Sequence, residues 1–362
     1  MKICFIYDRV NKIGGAERVL ESLHEIWPEA PLYTAVYNLA NAPWAKKFRV
    51  LPSFINRLPF VKSHHEWFPL LMPYAFESID LSEFDVVFSI TSAEAKGVIT
   101  SPNQLHICYL LTPTRYLWSH TNEYAGYGLM GKIRRLCIKN LRAWDRIAAT
   151  RPDKIISISK YVDKRCQTYY HRKSDAIIYP PVDTKRFHSN TPGDYYLVVS
   201  RLVPYKRIDL AIKACNQCKE KLIVVGTGSE LKYLKSIAGP TINFLGQVTD
   251  EQLPHLYSKA KALIFPQEEE FGITAIEAQS AGIPVVAFNG GSATEVIMNH
   301  VTGILFDDQT VLSLINALSL LKHHTWYDKT IQKHVGQFDK KVFQQAIKLF
   351  VEESWQKFPK SA

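Results

Sequence analysis

Short apolar runs alternate with helical patterns along nearly all of the 362-residue chain, and this alternation most narrows what the chain can become. In the first half the runs are Lys2–Tyr7, Leu32–Val36, Asp85–Ile90, Leu105–Leu111, Lys154–Ser157 and Ala176–Tyr179. In the second they are Tyr196–Ser200, Lys221–Val225, Ile242–Leu245, Ala262–Phe265, Val285–Phe288 and Gly303–Phe306. Helical periodicity fills the gaps, as in Ala16–Ile26, Ile208–Cys218, Gln252–Ala260, Thr274–Ala281 and Val311–Lys322. Strand–helix–strand repetition calls for parallel sheets covered on both faces, an α/β class. Twelve strands exceed one comfortable sheet, so the pattern predicts two facing, doubly wound, Rossmann-like domains. The expected division is a first domain over 1–180, a linker over 181–194 and a second domain over 195–337. A C-terminal helix over 338–362 follows, which could cross back to the first domain. Pro180-Pro181 marks the break, because consecutive prolines cannot continue a helix. Two such domains would leave a cleft at the carboxyl ends of their strands, where ligands bind in folds of this kind.

Composition removes several classes. With 46% hydrophobic and 22% charged residues the chain is neither disordered nor fibrous. No apolar run approaches the ~18 residues of a membrane helix. Asp8 and Arg9 end the N-terminal apolar run before a signal core forms, so the expected location is the cytoplasm. Cys215-Asn-Gln-Cys218 lacks a second pair at zinc spacing and reads as helix-face thiols, so no metal and no cofactor are expected.

The charge is concentrated. Of the net +10, the segment from Lys132 to Lys173 accounts for all, its bases opposed only by Asp145, Asp153 and Asp163. Such a field suits an anionic membrane, a pyrophosphate-bearing acceptor or nucleic acid; equally it suits a solvated helix face. Around 132–149, Ile133, Leu136, Cys137, Leu141, Trp144, Ile147 and Ala148 lie near one helical face, flanked by Arg134, Arg135, Lys139 and Arg142. Residues 54–76 are dense in aromatics and interrupted by prolines. Together they read as an interfacial membrane surface, the alternative being that the apolar face packs on its own sheet. Nucleic acid is not expected, since only Trp144, Tyr161, Tyr169 and Tyr170 could stack bases within the basic run.

The chemistry-bearing motifs gather in the second half. Phe265-Pro-Gln-Glu-Glu-Glu-Phe-Gly-Ile-Thr274 runs from a strand through an acidic turn into a helix that carries Glu277. Gly272 permits close backbone approach, and the helix that opens at Ile273 and Thr274 offers N–H donors. Glu277, if it faces the cleft, suits the vicinal hydroxyls of a ribose; otherwise Glu268–Glu270 is an exposed loop and Glu277 a surface residue. Arg201 and Lys206, in the loop after the first strand of this domain, are placed to neutralise a diphosphate. Gly226-Thr-Gly228 is a close-approach turn, but Leu231 stands where a dinucleotide fingerprint needs a third glycine. Gly14-Gly15-Ala16-Glu17, opening the first helix, makes a nest for phosphate or sugar oxygens, or a junction that simply needs small residues.

These motifs, with Phe244-Leu-Gly246, Gly282-Ile-Pro-Val-Val286, Gly290-Gly-Ser-Ala-Thr-Glu295 and Thr302-Gly303, resemble the family 4 glycosyltransferases of GT-B architecture over roughly residues 1–322. The segment Cys108–Trp118 resembles the subgroup that builds bacterial surface polysaccharides, often mannosyl- or glucosyltransferases. The resemblance implies transfer of a hexosyl unit from a nucleoside-diphosphate sugar, of GDP-mannose or UDP-glucose type, with retention and without a bound metal. It implies a glycan or polyprenyl-pyrophosphate-linked acceptor and peripheral attachment to the cytoplasmic face of the inner membrane. Arg201 and Lys206 would hold the diphosphate and Glu277 the ribose. Glu269 and the backbone from Phe271 through Gly272 and Ile273 to Thr274 would meet the donor, with Gly226 and, from the first domain, Gly14 and Gly15. Glu269, Arg201 and Lys206 are thereby the expected catalytic group. Where many relatives have a histidine after the fourth first-half strand, this chain has Leu111, so no catalytic histidine is expected. His106, at the other end of that strand, is expected in the core or at an edge, and Arg115 and Tyr116 near the sugar or acceptor. The competing readings are a nucleotide-sugar epimerase on the same fold and a non-catalytic binder of nucleotide sugars or anionic lipid.

Overall fold

The computed structural model describes the chain except residues 13, 120, 122–127, 192 and 360–362; the side chains of 128–134 and 136 are also not described. The chain forms two compact units, one of Met1–Tyr179 joined by residues from Phe343 onward, the other Pro180–Val342.

The first unit is built on seven parallel strands: β1 (Ile3–Val10), β2 (Leu32–Tyr37), β3 (Val50–Pro52), β4 (Val86–Thr91), β5 (Leu105–Leu110), β6 (Lys154–Ser157) and β7 (Ala176–Ile177). Their spatial order is β3-β2-β1-β4-β5-β6-β7. All of β4 and β5 is buried, which is why these strands read as continuous rather than alternating apolar runs. The sequence missed β3, three residues at the sheet edge ending in Pro52, too short to leave a periodic signal. Helix Lys340–Lys357 belongs to this unit from Phe343 onward. It buries Phe343, Ile347 and Val351, one stripe at helical spacing, with Phe343 edge-on to Tyr109 at 5.8 Å.

The second unit has six parallel strands: β8 (Tyr195–Val199), β9 (Lys221–Val225), β10 (Ile242–Gly246), β11 (Ala260–Phe265), β12 (Val285–Phe288) and β13 (Gly303–Phe306), in the order β10-β9-β8-β11-β12-β13. Val198, Val224, Ile264, Val286 and Ile304 belong to one buried cluster beneath helices Ile208–Cys218 and Val311–His323.

Both strand orders reverse direction once. In the first sheet β1 pairs with β2 on one side and β4 on the other; in the second, β8 lies between β9 and β11. At such a reversal the loops leaving the two central strands turn to opposite faces and leave a crevice at the carboxyl ends. The motif loops follow those strands: Gly14-Gly15 after β1, Arg201–Lys206 after β8 and Glu269–Gly272 after β11.

Candidate active site

In the second unit the reversal brings together residues that are 63 positions apart in sequence. Lys206, only 6% exposed, ends the short 3-10 turn Pro204–Lys206, and its ammonium donates to Glu269 Oε1. Arg201 is exposed, and its guanidinium donates to the Tyr205 hydroxyl at 2.6 Å. Lys206 Nζ lies 5.3 Å from the centre of the Tyr205 ring. Tyr205 therefore holds both cations, one by its hydroxyl and one by its π face; the sequence reading passed over it.

Glu269 is held from its other side. Its carbonyl accepts from the Ser292 N–H at 3.0 Å and from Ser292 Oγ at 3.2 Å. Of the three consecutive glutamates, Glu268 is exposed, Glu269 half-buried and Glu270 buried, so the acidic turn is not simply a solvated loop. Phe271 is buried edge-on to Phe338 at 5.6 Å, and Gly272, at φ 87°, caps the helix Ile273–Ser280. Only a residue without a Cβ takes that left-handed cap cheaply, and it allows the chain to turn straight from Phe271 into the helix. Ile273 and Thr274 are its first two residues, half-buried, where helix geometry leaves N–H groups without intrahelical acceptors.

Glu277 is 2% exposed, which removes the surface-residue alternative. Its Oε2 accepts from the hydroxyl of Tyr257, a fully buried residue, at 2.9 Å. Gly226 is required by the fold itself: a Cβ there would fall on the carbonyl oxygen of Ser200. The glycine turn lets the β9 loop lie against the loop of Arg201, where the Leu202 N–H donates to Thr227 O at 2.9 Å.

In the first unit, Gly14 and Gly15 are exposed at the start of helix Gly15–Ile26, Gly14 in extended backbone. The buried Glu17 bends back toward Gly14 and accepts from the Tyr7 hydroxyl at 2.7 Å. A carboxylate so placed already complements the helix N-terminus, in the manner of a capping box. Beside it, Arg9 pairs with the buried Glu94 at 2.6 Å, and Tyr116 donates to the other Glu94 oxygen at 2.7 Å. Burial raises the Glu94 carboxyl above its ordinary value, with Arg9 opposing the shift. Arg115, half-buried, is the first residue of the short helix Arg115–Trp118. Leu111 follows β5 directly and donates its N–H to Thr91 O at 2.8 Å. His106 is fully buried, near Ser89 Oγ at 2.9 Å, and burial pushes its imidazole down to about 3.

The basic helix Gly128–Ala148 is anchored inward. Ile138 and Leu141 pack with Leu117, and Asp145, though counted among the acids opposing the basic run, is fully buried. It accepts from Lys96 Nζ at 2.6 Å, Thr114 Oγ1 at 2.9 Å, Trp118 Nε1 at 2.7 Å and Tyr170 Oη at 2.8 Å. Arg142 donates to Leu117 O at 2.5 Å and to Thr121 at 3.0 Å. Of the four cations assigned to this surface, Arg135 and Lys139 are exposed, Arg142 is tied inward, and the Arg134 side chain lies outside the described residues. Ile147 of this helix is exposed, and a larger group of exposed apolar side chains lies in the aromatic segment: Phe54, Phe60, Trp67, Leu70 and Tyr74. Among the described residues no three His, Cys, Asp or Glu side chains could share a metal ion, and no helix is long and apolar enough to cross a membrane.

Comparison with known proteins agrees with this architecture. Residues 182–337 match the family model of glycosyl transferases group 1. An uncharacterized glycosyltransferase of Methanocaldococcus jannaschii is 24% identical over 308 residues, 83% of this chain and 79% of the relative. The GDP-mannose-dependent alpha-(1-6)-phosphatidylinositol monomannoside mannosyltransferase of Mycobacterium tuberculosis is 28% identical over 201 residues, 47% of this chain and 52% of that protein. Among solved structures, Anabaena HepE in complex with UDP has a TM-score of 0.75 at 18% identity, covering 98% of this chain and 100% of that one. Residues 182–337, most of the second unit, thus match the glycosyl transferases group 1, and the two parallel-sheet units with motif loops at the strand reversals share the GT-B fold of the solved neighbours.

Proposed function

We propose that this glycosyltransferase moves a hexosyl unit from a nucleoside-diphosphate sugar to a glycan or lipid-linked acceptor in surface-polysaccharide synthesis, retaining the anomeric configuration and using no metal. The observation that carries the reading is the convergence of Arg201, Lys206, Glu269 and the Gly272 helix cap at the β8/β11 reversal. In the reaction the bond from the anomeric carbon to the β-phosphate oxygen breaks and a bond to an acceptor hydroxyl oxygen forms. The acceptor proton passes to the departing diphosphate, so charge builds on phosphate oxygens. Two cations and helix N–H groups are suited to receive it. Glu269, beside Lys206, would accept from donor-sugar hydroxyls, and Glu277 from the ribose.

Mannosyltransferase relatives named for GDP-mannose and a structural neighbour holding UDP make GDP and UDP the two nucleotides to compare. The acceptor would meet the first unit near Arg9, Glu94, Arg115 and Tyr116. Peripheral membrane contact is assigned to the exposed aromatic segment, with Arg135 and Lys139 adding charge. Calorimetric titration with UDP, GDP and NAD tests the donor site. Saturable binding of one nucleoside diphosphate, weakened in Glu277→Ala, and sugar transfer from its hexose conjugate are expected. Binding of NAD alone, or nucleotide binding without product, would overturn the reading.

A further inference from the structure

We infer that Tyr257 is a positioning residue that sets the preference for ribose over 2′-deoxyribose in the bound nucleotide, acting through Glu277. The inference rests on the ribose reading of Glu277 and deepens it. Tyr257 stands near the end of helix Leu253–Ser258, which leads into β11. Its hydroxyl donates to Glu277 Oε2 at 2.9 Å, and both residues are buried. The terminal torsion of a glutamate is broad, so a carboxylate on a helix takes one orientation only if a fixed donor holds it. Tyr257 is such a donor, because its own ring is wedged. Phe187 meets it edge-to-face, centroids 5.6 Å apart at 81°. Phe187 in turn closes the turn Thr184–Arg186, tied down where Thr184 Oγ1 donates to Asp339 Oδ2 at 2.6 Å.

Burial sharpens the consequence. In a dry site a carboxylate aimed correctly discriminates strongly against a ligand that lacks the hydroxyl it was built to bind. A carboxylate offers about four acceptor positions, so accepting from Tyr257 is compatible with accepting from a diol. The phenol thus does not touch the nucleotide; it decides where the Glu277 lone pairs point.

The test is calorimetry of the full chain with UDP and GDP, each against its 2′-deoxy analogue. The wild type is expected to favour the ribonucleotide about tenfold or more, the range of a hydrogen bond to a charged group. Glu277→Ala should bring that ratio to about one. Tyr257→Phe keeps the ring and its packing and should lower the ratio about threefold to tenfold, the worth of an ordinary hydrogen bond, with affinity for the 2′-deoxy nucleotide unchanged. A purely structural role would weaken both nucleotides alike. If Glu277→Ala loses the preference and Tyr257→Phe keeps it, Tyr257 only packs and the inference fails. If Glu277→Ala itself keeps the preference, the ribose reading fails, which is a distinct outcome. Should Tyr257→Phe not fold, Phe187→Leu loosens the ring while sparing the hydroxyl, and an unchanged ratio there overturns the inference as well.

Discussion

Replacing Lys206 by alanine separates two roles that the geometry superimposes. Lys206 is nearly buried and paired with Glu269, whose side chain is 19% exposed. With Lys206 holding the diphosphate as proposed, the variant loses a charge-assisted bond, about 1.5–3 kcal/mol. It also leaves the Glu269 carboxylate unneutralised beside an incoming anion. At an effective dielectric of about 20 and a separation of about 6 Å, that repulsion adds roughly 3 kcal/mol. The sum predicts nucleoside-diphosphate affinity reduced by about 10³- to 10⁴-fold, each 1.4 kcal/mol being tenfold. Breaking a buried pair can cost 3–5 kcal/mol of stability, less here because solvent reaches Glu269, so melting temperature is recorded in parallel. Adding Glu269→Gln to Lys206→Ala removes the repulsion alone and should restore affinity by about 10²-fold, on the same Coulomb estimate. Titrating UDP and GDP rather than sugar donors keeps any contact of Glu269 with the sugar out of the measurement. An affinity within twofold of wild type in Lys206→Ala, or no recovery in the double variant, refutes the shared-site argument.

Two further outcomes follow from the first unit. His106 is held neutral by burial, its imidazole pushed down to about 3 from an ordinary 6.5, so between those values the unfolded chain binds the extra proton. Stability is then fully present above pH 6.5 and falls as the pH drops, by about 1.4 kcal/mol per unit from this group; His106→Gln should flatten that acid limb in urea titrations, and parallel curves would contradict it. Replacing Phe60, Trp67 and Tyr74 by serine should reduce sedimentation with anionic liposomes severalfold while leaving the melting temperature near wild type, since all three are exposed. Loss of binding only when Arg135 and Lys139 are neutralised would return the surface to the basic helix.

How much of this was legible depends on the range of the physics involved. The twelve expected strands all form, with ends shifted by up to three residues, because each is a local apolar run, most of them buried. Gly272 and Ile273 were readable as a helix start, since a cap is a local requirement. The edge strand β3 was not, because three residues carry no period. The basic run was read as a field opposed by Asp145, yet Asp145 is buried among Lys96, Thr114, Trp118 and Tyr170. Counting charges assumes that each faces water, and no sequence spacing says which one is taken inside. Tyr205 lies in the loop between Arg201 and Lys206 and could have been found, as an aromatic between two cations. Tyr257 left no such signal.

The sequence by itself determined the α/β class, the positions of the strands and the kinds of side chain available at their carboxyl ends, because periodicity, caps and glycine turns act over a few residues. Tertiary structure alone decided that β8 lies beside β11 and β1 beside β4. Strand order is a choice among crossovers of similar local pattern. From that choice follow the pairings of Lys206 with Glu269 and of Arg9 with Glu94. These contacts exist only once separate strands have become neighbours, and in each unit they fix which charge faces which.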